Sequence, residues 1–348
     1  MESPHPNQLD SSFYCKSPDS SRSNNSPYEC TSVGYSASQQ VERLLKHKSI
    51  RDLMRTEFEY AGSAMPSIDA FMQPSNFKKN RFKNLMLYDD TRVVLDDVFT
   101  EKQGDYVHAS YVSGMDRQAQ YVLAQAPYDE TTEADFWRLV WQIWPSVVVL
   151  LSPLVRQPNT LDTKHNCTQF LPNAGQSRRY LNAMDVRAES VKPGGTHTLV
   201  YELTISMTGV TEPIDTRVMH LRDWVDDAEP PPTLVEFTSK ARLAAQQVET
   251  KGTTVRSKQL PPMLVVCATG VHRSGTFTAL DIELRRMQTT RRVALIESLI
   301  QLRQERYGVL QIKSHYLYLI EAVVNFAVQA GYIHPDDVGE KVITFSLQ

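Results

Sequence analysis

The chain has 348 residues, 41% of them hydrophobic and 22% charged, with a net charge of -3. That length supports a sizeable core in one large or two ordinary domains, and the near-neutral charge excludes a general nucleic-acid coat. Apolar runs stop at strand length, as in SVVVLLSPLV (146–155), so no membrane span is expected.

In chain order, residues 1–38 hold 11 serines, three of them in Ser-Pro pairs (Ser3, Ser17, Ser26), and almost no aliphatic side chains. Such a segment buries too little apolar surface to offset its ordering entropy and reads as a disordered tail. Its polar amino terminus lacks the pattern of a signal peptide. From Val41 the composition changes. Val41, Leu44, Leu45, Leu53, Met54 and Phe58 recur at helical spacing and open a folded domain spanning 39–335. Residues 336–348 read as a short C-terminal extension.

Short β-rich runs follow at 92–95, 105–112, 120–126, 146–151, 198–207 and 216–221. The unbroken VVVLL predicts a strand buried on both faces, and the alternating LVYELTI predicts a half-exposed antiparallel one. A helix is expected over 132–143, where Phe136, Leu139 and Val140 share a face. After MLVV (263–266), a buried strand, the chain turns helical over 275–287, 293–306 and 314–331, each with an apolar stripe. Strands flanked by helices at both ends of the chain give an α/β (α+β mixed) fold class, with a mixed sheet between helices. No internal repeat and no second domain is evident. The four cysteines, Cys15, Cys30, Cys167 and Cys267, are scattered and lack zinc-site spacing. They suit a reducing, cytoplasmic compartment.

The chemistry concentrates in VVCATGVHRSG (265–275). A cysteine followed six positions later by an arginine is a cheap pattern. With 4 cysteines and 23 arginines in 348 residues, it arises by chance in about one chain in four. The surroundings carry more weight. A buried strand ending at Cys267 and a helix starting near Arg273 or Ser274 aim backbone N–H groups and a helix dipole at one point. Those features bind a tetrahedral oxyanion and stabilise a thiolate nucleophile, and the planar fork of Arg273 matches two oxygens of such an anion. Taken alone, the stretch fits equally well an ordinary buried cysteine at a strand end.

Six further stretches stand in a recognisable order. They are KNRFKNLMLYDDTRV (79–93), DYVHASYV (105–112), AQAPYDETTEADFWRLVW (124–141), NCTQFLP (166–172), WVDDAEP (224–230) and RQERYGVLQIKSHYLYL (303–319). With the Cys267 loop they resemble the phosphotyrosine-specific protein tyrosine phosphatase family over roughly residues 55–331. The resemblance implies a highly twisted mixed central sheet flanked by helices, phosphotyrosine-containing proteins as partners, and no metal or other cofactor, since loop amides and arginine supply the electrostatic stabilisation.

Carried over by position, Cys267 is the nucleophile that forms a phosphocysteine, and Arg273 clamps the transferring phosphoryl group. Asp226 acts as general acid and then general base, Gln311 positions the water, and Ser274 helps the thiolate leave. Phe82 stacks on the substrate ring and Asn84 stands where an aspartate usually grips the substrate backbone. Ala268, Thr269, Gly270, Val271 and His272 supply the phosphate cradle.

The sequence departs from the family at informative places. Val266 stands for the histidine before the cysteine, Ala268 for the serine after it, and His272 for a glycine. Val225 replaces the proline of the W-P-D loop, and His315 the second glutamine. Losing the histidine removes a polar partner of the thiolate. Histidine at 272 adds bulk where glycine lets the backbone approach an anion or adopt positive φ. Two functions are therefore expected as alternatives. One is a cysteine-dependent phosphotyrosine hydrolase, attenuated in rate. The other is a pseudophosphatase that binds phosphotyrosine proteins or scaffolds a partner. A dual-specificity or lipid phosphatase fits less well, because KNRFKN implies the deep pocket that selects tyrosine.

Overall fold

A computed structural model describes residues 35–36, 66–96, 104–155, 167–224, 229–250, 260–332 and 334. The expected helices around Val41–Phe58, Asp226, Cys15, Cys30 and the extension 336–348 lie outside the described residues. Within the segment read as a tail, β1 (Tyr35–Ser36) pairs antiparallel with Arg292–Val293.

The described fold then runs through α1 (Asp69–Met72), a 3-10 turn (Pro74–Lys79), β2 (Arg92–Val94), β3 (Tyr106–Val112) and β4 (Tyr121–Gln125). Next come α2 (Glu130–Ile143), β5 (Val147–Leu150), the paired short strands β6 (Leu154–Val155) and β7 (Cys167–Thr168), and β8 (Ser177–Tyr180). The long hairpin strands β9 (Met184–Gly195) and β10 (Thr198–Met207) lead to β11 (Ile214–Leu221) and α3 (Leu234–Thr250). The last third contains β12 (Met263–Cys267), α4 (His272–Thr290), β13 (Arg292–Val293), α5 (Leu295–Glu305) and α6 (Lys313–Gln329).

Nine strands form one mixed sheet in the order β2-β3-β4-β12-β5-β11-β10-β9-β8. β4, β12, β5 and β11 pair in parallel, and antiparallel strands extend the sheet on both sides. β4, β12 and β5 are buried throughout, as expected of strands covered on both faces. Successive side chains on a strand point to opposite faces. Met263, Val265 and Cys267 therefore join one apolar cluster with residues of α3, α4, α5 and α6. Leu264, Val266 and Ala268 join another with α2. α2 starts on a capping box in which Asp129 Oδ1 accepts from Thr132 N at 2.8 Å.

The predicted strands and helices that fall within the described residues are present with small changes at their ends. Among the elements without a counterpart in the sequence reading are β8, β9 and the 17-residue helix α3.

Candidate active site

The carboxyl end of β12 opens into a four-residue loop, Ala268–Val271, and α4 begins at His272. Cys267 is fully buried. Its sulfur accepts a hydrogen bond from Gly270 N at 3.2 Å and lies 3.5 Å from Thr269 Oγ1. The loop curls tightly because Gly270 takes φ +65. A methyl group there would meet the β4 backbone, 2.4 Å from Gln125 N. His272 is not among the residues of positive φ, so its cost relative to glycine is bulk and not backbone strain. The 19-residue helix that follows has its N-terminus, the positive end of its dipole, at the end of this loop.

Arg273 is buried, and one terminal nitrogen donates to Leu151 O at 2.7 Å and to Trp224 O at 2.5 Å. That bond ties the start of the segment carrying Asp226 to the loop. Ser274 is also buried, and its hydroxyl has no hydrogen-bond partner among the described residues. Behind the loop, Thr276 Oγ1 lies 3.0 Å from His315 Nδ1, and the His315 ring sits 5.2 Å from the Trp224 ring. His315 thus belongs to the packing beneath the site.

Gln125, at the end of β4, pairs in register with Cys267. Its amide accepts from Arg81 N at 2.9 Å and donates to Lys79 O at 3.2 Å. These bonds hold the 79–82 segment beside the loop, where partly buried Phe82 packs against the cluster that contains Cys267. Arg81 lies 5.4 Å over the Phe82 ring. Asn84, two residues on, is exposed. Gln311 is exposed too, and Gly308 brings it to the loop. A methyl group on Gly308 would lie 3.2 Å from Gln311 Nε2 and 3.4 Å from Val271 Cγ1.

Sequence reasoning did not find the support under the cradle. Arg306, fully buried, donates from Nε to Gly270 O at 3.2 Å and from its terminal nitrogens to Ser110 Oγ at 3.1 Å and His108 Nδ1 at 2.9 Å. His108 Nε2 lies 3.0 Å from Leu85 O. Donation there leaves Nδ1 as the acceptor for Arg306, so the imidazole is neutral. Burial, then the Arg306 charge, pushes the His108 pKa down to about 3. Burial also lowers that of Arg306 to about 10. On the other side, Ser152 Oγ accepts from Ala268 N at 2.9 Å. Burial pushes the Cys167 thiol up to about 11. Val266 does not share a face with Cys267 and packs instead in the cluster on the α2 side of the sheet.

The arrangement can hold a tetrahedral anion against a nucleophilic sulfur. Among the described residues, no group of three or more His, Cys, Asp or Glu side chains is placed to hold a metal ion. No helix there is long and apolar enough to cross a membrane.

Comparison with known proteins gives a consistent picture. The protein-tyrosine phosphatase family profile matches residues 76–325. The chain is 27% identical over 278 residues to receptor-type tyrosine-protein phosphatase S of Gallus gallus, covering 78% of this chain and 17% of that protein. It is 30% identical over 269 residues to receptor-type tyrosine-protein phosphatase zeta of Homo sapiens, covering 74% and 11%. The chain thus spans less than a fifth of the length of these relatives. The fold matches the catalytic domain of human protein tyrosine phosphatase non-receptor type 18, with TM-score 0.68 at 20% identity, over 83% of this chain and 99% of that one. A structure of PTPN18 in complex with HER2 phosphopeptides matches with TM-score 0.69.

Proposed function

The chain belongs to the protein-tyrosine phosphatase family, and on that premise we propose that it hydrolyses phosphotyrosine in proteins at an attenuated rate. The observation that carries this reading is the Gly270 N–H aimed at Cys267 Sγ from 3.2 Å at the start of α4. An N–H donor aimed at a cysteine sulfur beside a helix start suits a nucleophile and the anion it would attack.

In this reading Cys267 attacks phosphorus in line. The S–P bond forms as the bond to the tyrosine oxygen breaks, and Asp226 gives its proton to that oxygen. Water held by Gln311 then attacks phosphorus. The S–P bond breaks, the proton passes to Asp226, and the sulfur leaves as thiolate with help from the Ser274 hydroxyl. Arg273 and the amides of Ala268–His272 take up the charge on the equatorial oxygens. Phe82, with Asn84 beyond it, forms the wall against which the substrate ring stacks. A cytoplasmic setting goes with this reading, because the nucleophile must stay a reduced thiol.

The attenuation follows from His272, whose side chain adds bulk at the cradle's edge. The rival reading, a pseudophosphatase that only binds phosphotyrosine proteins, is separated by one assay. Hydrolysis of an aryl phosphate by the wild-type protein is expected to exceed that of Cys267→Ser. Equal, background-level rates rule out the hydrolase. Phosphotyrosine-peptide binding that Arg273→Met abolishes then establishes the binding module.

A further inference from the structure

Resting on the anion cradle just proposed, we infer that Thr269 is a built-in competitor for it, its hydroxyl capping amides that a phosphoryl group needs. Thr269 Oγ1 accepts from Val271 N at 3.2 Å and from His272 N at 3.1 Å. A threonine hydroxyl accepting from amides two and three residues on is the arrangement of a helix cap. Val271, at the N-cap position of α4, makes no side-chain cap bond of its own. The open amides of a helix start are satisfied by a capping side chain or by an anion, and one N–H directed at one acceptor does not serve the other.

The neighbouring amides are turned inward as well. Ala268 N donates to Ser152 Oγ at 2.9 Å, and Gly270 N to Cys267 Sγ at 3.2 Å and Cys267 O at 3.1 Å. The Thr269 hydroxyl lies 3.5 Å from the sulfur, in the space where an attacked phosphoryl group would sit. Rotation about χ1 alone offers limited relief. The Thr269 β-carbon carries an oxygen, a methyl and a hydrogen, and only the hydrogen leaves room for an incoming oxygen. Thr269 therefore sets the affinity of the cradle for any tetrahedral oxyanion, independently of the nucleophile.

Titration calorimetry of the full chain with tungstate, a tetrahedral dianion, tests this with wild type, Thr269→Ala and Thr269→Ser. Removing a threonine cap corresponds to roughly fivefold tighter tungstate binding by the alanine variant, with serine, which keeps the capping hydroxyl but lacks the methyl, falling between alanine and wild type. Thermal melting gives the mirror image. Thr269→Ala melts below wild type without ligand, and saturating tungstate raises its midpoint by more than it raises that of wild type. Equal or weaker binding by a folded Thr269→Ala protein overturns the inference and leaves the cradle intact, as does a serine variant that binds as tightly as alanine. If tungstate binds none of the three, the cradle itself is refuted, and this inference with it.

Discussion

Replacing Gly270 by alanine tests how the loop is shaped. At φ +65 the left-handed conformation costs an L-residue about 1–2 kcal/mol. The added methyl would lie 2.4 Å from Gln125 N, 2.5 Å from Ala124 C and 2.7 Å from Ala124 O. These are backbone atoms of β4, hydrogen-bonded on both sides within the sheet, so no side chain can swing away. Either the loop retreats by roughly 1 Å or the sheet opens, an overpacking cost of about 1–3 kcal/mol. The expected destabilisation is about 2–5 kcal/mol, read from urea unfolding as a lower midpoint at unchanged slope. A retreat of that size also takes Gly270 N off Cys267 Sγ and Gly270 O off Arg306. The aryl-phosphatase rate should then fall about 100-fold. A Gly270→Ala protein with wild-type midpoint and turnover would refute the argument that close approach to β4 positions the cradle.

Two further outcomes concern charge. Burial lowers the pKa of His108 from 6.5 to about 3 and that of His220 from 6.5 to about 4. Below pH 6.5 the unfolded chain takes up protons that the folded chain refuses, so stability present at neutral pH is lost as pH falls towards the folded values. Each histidine should cost about 2 kcal/mol at pH 5 relative to pH 7. Urea midpoints at the two pH values check this, and His220→Gln should reduce the loss. Arg242→Met strands the buried carboxylate of Asp281, which Arg242 contacts at 2.7 and 2.9 Å and Tyr121 at 2.7 Å. The expected loss is about 3–5 kcal/mol at pH 7, and it should shrink in acid as Asp281 protonates. A pH-independent loss would contradict the stranded-charge explanation.

Residue patterns reveal the strand–loop–helix at Cys267 because its signals are local: an apolar run, a glycine that bends the loop, and an apolar helical stripe. The same locality explains the misses. α3 presents its core face through Leu234, Phe237, Ala241, Ala244 and Ala245 at helical spacing, but alanine carries little hydrophobic signal and Lys240 and Arg242 interrupt the stripe. In β9 the inward positions Met184, Val186 and Ala188 alternate as a strand should, whereas Pro193, Gly194 and Gly195 read as a turn.

Cys267, Arg273, Ser274 and the loop residues follow one another along one strand–loop–helix. Phe82 packs against the same large apolar cluster as Cys267, and Gln311 lies beside Gly308. Arg306, His108 and Ser110 escaped notice because their contact joins α5's end to β3, far apart in the chain. Thr269 was legible as a loop residue, but the direction of its hydroxyl follows only from the curl of the loop.

The position of β12 carries a consequence for biogenesis. Leu264 pairs with Val122 on one side and Val148 on the other, so the strand fills a slot between two segments made much earlier. Until the ribosome has released residue 267, β4 and β5 each face an empty lane with unpaired N–H and C=O groups, a template for pairing between chains. Sheets closed by such distant segments form slowly, and partly made chains of this size are prone to aggregate. Cys267 sits on the last strand of the parallel core to be synthesised. A nascent chain therefore has no assembled cradle, and shielding it from its neighbours during synthesis is a task the fold leaves to the cell.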